Sequence, residues 1–355
     1  MGKSKIIKEQ EEELTSSNDE DMELPEDLMW NNDTQSCAEL YRMYKEGQLE
    51  IQPEFQRNFV WKPTVQTQFI DSLTKRLPIP SIFIGEDVKA EKSIVIDGLQ
   101  RITTIIQFFE NEKWRLSKLA KISGKKVSEI KKNSSNLYAR VKNSKIPVIT
   151  IKCDFSEPSH MDYLFMLFNR LNTGGVKLNN QEVRNCVFSG KFNNLLKEVA
   201  NSKEWENCMG KSSKIDRLEN TEIILRTFAF SEKLDDYTGN LAKFLNHYMT
   251  EKQNITDSEI DKKRNTLISS LKFIYENLDE PKTVHTFGKN VKEGLLVGVS
   301  QNIERLISKS KEEFQSMFEN FLNADEFGEE NLGQGSAKKD KVQPRLRKAV
   351  EIFGV

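Results

Sequence analysis

Chemistry-bearing side chains crowd most closely at Asp97, Gly98, Gln100 and Arg101, inside the run IVIDGLQRITTIIQFF that starts at Ile94. Ser93 to Ile96 reads as a short buried strand, Asp97-Gly98 breaks it, and Ile102, Ile105, Ile106 and Phe109 resume at helical spacing. A strand that turns through glycine straight into a helix leaves the first helical N–H groups without intrahelical acceptors, and those donors together with the helix dipole favour an anion. Arg101 adds a forked, charge-assisted donor suited to phosphate oxygens. Asp97 has two readings: it holds a Mg²⁺ or orients a water beside Arg101, or it caps the helix that begins at Leu99. The sequence contains no GxxxxGK(S/T), so any phosphate site here is not a P-loop. A strand–glycine–helix turn is also common as plain architecture.

Further polar groups stand where turns are expected. Gln56 and Arg57 precede Trp61 in PEFQRNFVW, and Arg57 is a candidate second anion-binding group. Asn169, Arg170, Asn172, Thr173 and Gly174 lie where a helix ending in NRLNTGG gives way to a glycine turn, a place to hold a small polar ligand or simply turn chemistry. From Lys113 to Lys145 the chain is strongly basic against a single acid, Glu129, with Trp114 and Tyr138 interleaved. Lys118, Lys121, Lys125, Lys126, Lys131 and Lys132 are the candidates there for contact with a nucleic-acid backbone, and a solvated insertion is the alternative. Arg217, Glu222 and Arg226 share one helical stretch and read as helix-surface ion pairs.

The elements that must position these residues follow from pattern. Thr34 is the expected cap of a helix over 35–46, LEIQPEF an irregular edge strand, and residues 66–76 a helix stopped by Pro78 and Pro80. Ile82–Ile84, Ser93–Ile96 and Ile146–Cys153 are strands, giving a small α/β unit over 29–155 with the basic insertion at 113–145. From 156 to 355 the periodicity is helical: 160–171, then 192–200, 217–232, 241–250, 257–278, 291–307 and 311–322. Asn179 with Glu182 forms a capping box. Residues 324–342 are expected as a loose loop, with a short helix after Lys348. Residues 1–28 carry ten acids and few apolar groups and are expected to be a disordered tail. The fold class is therefore α+β, a small α/β domain followed by a mostly helical one.

The totals exclude more than they assign. Lys plus Arg number 53 against 54 Asp plus Glu, so net charge points to no particular partner. No apolar run approaches the ~20 residues that span a bilayer. Cys37, Cys153, Cys186 and Cys208 lack CxxC spacing and no secretory segment precedes them, so reduced thiols in a cytoplasmic protein are expected. The three histidines are too far apart in sequence to suggest zinc.

Taken together, PEFQRNFVW, LPIPSIFIG, IVIDGLQRITTI, LFNRLNTGGVKLNNQEVRN and LENTEIILRTFAF resemble the N-terminal domain family of the GmrSD-type modification-dependent restriction systems, from about Glu50 to Phe230. The family is similar to the ParB/sulfiredoxin-like fold, in which a strand–turn–helix motif holds nucleotide phosphates. Asp97, Gly98, Gln100 and Arg101 match its Asp-Gly-Gln-Gln-Arg motif, with Leu99 in place of the first Gln. Gln56 and Arg57 match its Gln-Arg pair, and Asn169, Arg170, Asn172 and Gly174 its second turn. The resemblance implies a bacterial antiviral-defence component that binds and hydrolyses an NTP with Mg²⁺, senses modified phage DNA and licenses a nuclease. No His-Asn-His constellation stands in the sequence, so the resemblance implies an HNH-type nuclease as a partner protein, with no membrane partner and with homo-oligomerisation open. A DNA adaptor of the same system that binds without turnover is the alternative, which Leu99 and the basic stretch favour.

Overall fold

An eight-residue strand, Met29–Ser36 (β1), leads directly into helix Cys37–Lys45 (α1) at the start of a computed structural model that describes residues 25–51, 61–117, 124–171, 179–210, 218–333 and 335–355. Residues 1–24 of the expected acidic tail lie outside the described residues. Ser36, not Thr34, caps α1: its Oγ accepts from the Glu39 N–H at 3.1 Å, while Thr34 belongs to β1. The strand escaped prediction because MWNNDTQS has no alternation. It is held by its neighbour's hydrogen bonds rather than by a buried face, and Met29 and Trp30 are 61% and 68% exposed.

The chain continues through Leu49–Glu50 (β2), Pro63–Thr74 (α2), Ile82–Asp87 (β3), Lys92–Asp97 (β4), Leu99–Glu110 (α3), Val127–Asn133 (α4), Ser135–Asn143 (α5), Lys145–Cys153 (β5) and Pro158–Leu171 (α6). The sheet order is β1-β5-β3-β4-β2, with β3/β5 and β4/β2 parallel and the other two pairs antiparallel. Phe83 pairs with Asp97 and Ile82 with Val148, so the end of β4 and the starts of β3 and β5 share one end of the sheet.

Successive strand residues face opposite sides. Ile82, Ile84, Val95, Ile146 and Val148 join one buried cluster with Leu40, Ile70, Leu73, Ile102 and Ile105 from α1, α2 and α3. Ile94 and Ile96 face the other way, towards α6. There Gly85 lets Leu164 approach so closely that a Cβ would stand 3.3 Å from its Cδ2. A strand covered on both faces reads as a continuous apolar run, which is why β4 was legible. The aromatic residues of the basic stretch turn to the core: Trp114 is buried, and Tyr138, half-buried, stacks on Phe108 at 5.5 Å between centroids.

The chain goes on through Asn180–Val187 (α7), Lys191–Ala200 (α8), Lys203–Met209 (α9), Glu219–Lys233 (α10), Leu241–Glu251 (α11), Asp257–Asn277 (α12), Lys289–Leu306 (α13), Lys311–Asn323 (α14), Glu329–Leu332 (α15) and Lys339–Phe353 (α16). Asn179 and Glu182 form the expected capping box at 2.8 Å in both directions. The chain divides into two compact units: the sheet unit runs from Glu23 to Leu178 and takes in Asn185–Val187, and the remaining C-terminal residues form the helical unit.

Two expectations fail in the helical unit. Residues 324–342 are not a loose loop: Phe327 is buried with its ring 4.2 Å from that of Phe321, Leu332 is buried, and α16 already begins at Lys339. Glycine and charge hid two apolar anchors. Nor are Glu222 and Arg226 a surface pair. Glu222 lies 2.5 Å from Arg226 and 3.5 Å from Arg184, while Glu293 lies 3.6 Å from Arg226 and 3.5 Å from Arg345. Arg184 and Arg345 are each 1% exposed. Burial would raise the Glu222 carboxyl, but the Arg226 and Arg184 guanidiniums outweigh it and hold the group down at about 2. Arg217 lies outside the described residues.

Among the described residues no helix is long and apolar enough to cross a membrane, and all four cysteines are free thiols.

Candidate functional site

The turn between β4 and α3 is built around Gly98, whose φ of +94° and ψ of +12° lie in the left-handed region. Space makes the same demand as the backbone, because a Cβ there would stand 2.8 Å from Ile82 Cγ1 and 3.2 Å from Arg101 Nη2. Glycine is required on both counts. The turn delivers the chain into α3 with no side-chain cap, so the alternative that Asp97 caps this helix is not realised. The N–H groups of the first turn keep their direction towards whatever lies in front of the helix.

Asp97 instead pairs with Arg101, Oδ2 to Nη2 at 2.7 Å, one helical turn away. The other arm of the guanidinium, Nη1, donates to the carbonyls of Pro80 and of Ser81, the latter at 3.1 Å. The Arg101 side chain is only 12% exposed and Asp97 is 31% exposed, so the pair forms the floor of the turn with the carboxylate at its surface. Pro78 and Pro80 make this possible: they hold the segment before β3 extended, and it presents two carbonyls to one arginine. Leu99 turns into the core cluster, so the position where the resembled motif carries a glutamine contributes packing rather than a polar contact.

Gln100 ties in a third segment. Its Oε1 accepts from the Trp61 N–H at 3.2 Å, and the Trp61 carbonyl in turn accepts from Gln66 Nε2 at 2.9 Å. Trp61 itself packs on Phe69, 5.7 Å between centroids. Gln56 and Arg57 fall outside the described residues, which resume at Trp61. Asn169 and Arg170 close α6, the helix covering β4, with Asn169 half-buried and Arg170 exposed. Asn172, Thr173 and Gly174 are again outside the described residues. Asp97, Gly98, Gln100 and Arg101 thus stand together by direct contact.

The basic candidates divide. Lys118 and Lys121 lie outside the described residues. Lys131 is paired with Glu112 at 3.0 Å and lies over the Tyr138 ring, Lys126 precedes α4 with its N–H bonded to the Glu129 carboxylate, and Lys125 and Lys132 are exposed. Two groups escaped sequence reasoning: the buried arginines 184 and 345, which carried no periodic signal of burial, and Arg76, which stands outside the basic stretch.

Among the described residues no three His, Cys, Asp or Glu side chains converge on a point that could hold a metal. Asp97 offers one carboxylate oxygen beyond its Arg101 contact, which suits Mg²⁺, an ion that takes one or two carboxylates and completes its shell with water and phosphate.

No curated protein and no solved structure matches the chain. A family model does: GmrSD restriction endonuclease, N-terminal domain, over residues 37–189, a span that holds the whole Asp97–Arg101 turn and Asn169–Arg170. Residues 37–189 therefore belong to the GmrSD restriction endonuclease N-terminal domain family.

Proposed function

We propose that the Asp97–Arg101 turn binds the phosphates of a nucleoside triphosphate with Mg²⁺, and that the chain is the nucleotide-dependent sensor of a modification-dependent restriction system in which a partner nuclease cuts the DNA. The observation that carries this reading is the uncapped start of α3 behind a left-handed glycine, with Arg101 pre-positioned 2.7 Å from Asp97. Backbone N–H groups there face an incoming anion, and Arg101 needs no reordering to meet it. Asp97 would hold Mg²⁺ and orient a water, while Arg101, kept beside it by their ion pair, would supply a guanidinium donor to a phosphate oxygen. Gln100 is held by the Trp61 N–H. Gln56, Arg57, Asn169, Arg170, Asn172 and Gly174, which match the family's other two motifs, and Thr173 are the further candidates for nucleotide contact, and Lys125 and Lys132 for DNA contact. Phosphoryl transfer is largely positioning and charge neutralisation, so no covalent nucleophile is required.

A second reading, a DNA adaptor that binds without turnover, rests on Leu99: its side chain, half-buried, packs against the core cluster, leaving one fewer polar group at the ligand. Radiolabelled-NTP binding and turnover by the purified chain, with and without DNA, separate the two. Arg101→Ala is expected to abolish nucleotide binding. Unchanged affinity would refute the placement of the site, and binding without hydrolysis in the presence of DNA would select the adaptor.

A further inference from the structure

We propose that an open basic cavity beside this turn, walled by Arg76, Arg140 and Lys145, is a docking site for the phosphate backbone of duplex DNA. The cavity has a volume of about 530 Å³ and sits between the end of α2, one face of α5 and the start of β5. Asn136, Ala139, Arg140 and Asn143 line it at the i, i+3, i+4, i+7 spacing of a single helix face. Val141, on a different face of α5, reaches the core, so the polar face is not the remnant of a packing surface.

Charge decides the ligand class. In a chain of formal net charge −1, three cations meet here and no Asp or Glu lines the cavity. Among the described residues none of the three is paired with an acid, so their charge is not already neutralised within the chain. All three are exposed and come from three separate elements. An enclosed small-anion site buries its cations, whereas solvated cations spread along an open mouth match a polyanion and gain from releasing its counterions.

Arg76 supplies an independent sign. It occupies the left-handed position of a helix C-terminal motif, φ +57°, with its N–H bonded to Leu73 O at 3.2 Å and the Leu77 N–H to Ser72 O at 3.0 Å. Glycine is the unstrained residue at that position. An arginine kept there, unpaired and at the cavity wall, is strain held in place at a site of use.

The cavity is distinct from the nucleotide turn but adjoins it. Leu77 and Ile79 line it, and the carbonyls of Pro80 and Ser81 in the same short segment hold Arg101.

The test uses the full chain, a labelled DNA duplex and fluorescence anisotropy over a salt series, with thermal melting and binding of a fluorescent NTP measured on the same samples. Arg76→Gly fits the backbone better than the native residue, so it is expected to melt no lower than wild type while binding DNA roughly tenfold more weakly near 0.1 M salt. Adding Arg140→Gln and Lys145→Gln is expected to lower the slope of log K against log salt by about 0.9 for each phosphate no longer neutralised, close to 3 in all. Nucleotide affinity in the absence of DNA should not change. Unaltered DNA affinity and slope in the triple variant would overturn the proposal. So would displacement of the duplex by inorganic phosphate at millimolar concentration without any effect of added salt, which would mark a small-anion pocket. Loss of NTP binding with DNA binding intact would assign the cavity to the nucleotide site and equally overturn it.

Discussion

Gly98→Ala separates two demands that the turn makes of one residue. A Cβ at φ +94° carries the left-handed penalty, about 1–2 kcal/mol for an ordinary L-residue. Its methyl also lands 2.8 Å from Ile82 Cγ1, an overlap typical of overpacked cores, where added methyl groups cost about 1–3 kcal/mol. The two terms together predict a loss of about 2–5 kcal/mol, enough to move a urea midpoint well beyond experimental error. Ile82→Ala removes the obstructing Cγ1 at its own cost of about 2–5 kcal/mol. In the double variant the overlap is gone while the backbone penalty remains, so the cycle should show a favourable coupling of about 1–3 kcal/mol. Additivity to within about 0.5 kcal/mol would refute the steric half of the reasoning. The same methyl would sit 3.2 Å from Arg101 Nη2, so the guanidinium must shift by a few tenths of an ångström beside Asp97, and NTP affinity should fall in Gly98→Ala even under conditions where the protein stays folded.

Glu222 should dominate part of the acid response. Its folded value of about 2 lies below the ordinary 4.5, so its contribution is whole above about pH 4.5 and is lost as pH falls through 2. Thermal melting of Glu222→Gln should therefore depend less steeply on pH across that window than wild type, and parallel curves would contradict the assignment. Burial pushes the Cys37, Cys153 and Cys208 thiols up to about 12, so a thiol reagent at pH 8 should label at most Cys186 quickly in the native state and all four cysteines in denaturant. Fast labelling of two or more native thiols would count against the packing. Phe327→Ala should destabilise the helical unit by about 3–5 kcal/mol in urea unfolding, the range for a core aromatic; a change below about 0.5 kcal/mol would restore the loose-loop reading of this segment.

The parts of the molecule that could be read from sequence are those where one residue's environment repeats along the chain. β4 and α3 were legible because a doubly covered strand is apolar throughout and its helix keeps one apolar stripe through Ile102, Ile105 and Ile106. The Asp97–Arg101 pair was not read from the sequence, although the two residues stand at i, i+4; the sequence suggested a metal, water or capping role for Asp97 instead. What stayed hidden depends on partners distant in sequence. β1 is a strand only because β5 lies beside it. Trp114 and Tyr138 stood interleaved among lysines in sequence, but Trp114 is buried in the core and Tyr138 packs against it on Phe108. The i, i+4 spacing of Glu222 and Arg226 is the same for a solvated pair and a buried one, and only Arg184, Glu293 and Arg345 from other helices decide between them. Arg76 lies 64 residues before Arg140 in the chain, so no window of sequence brings the two together.

The five-membered charge cluster also bears on how this chain can be divided. The family match ends at residue 189, an inviting place to cut, yet Arg184 finds its acid in Glu222 and its amide partner in Asn246. A fragment stopping at 189 keeps a guanidinium evolved for burial with no counter-charge, and a fragment ending before Arg345 leaves Glu293 with one cation instead of two. Orphaning a buried charge costs about 3–5 kcal/mol, a large share of the stability of an ordinary domain. An expression product that runs past Arg184 should therefore behave well only if it also reaches Phe353.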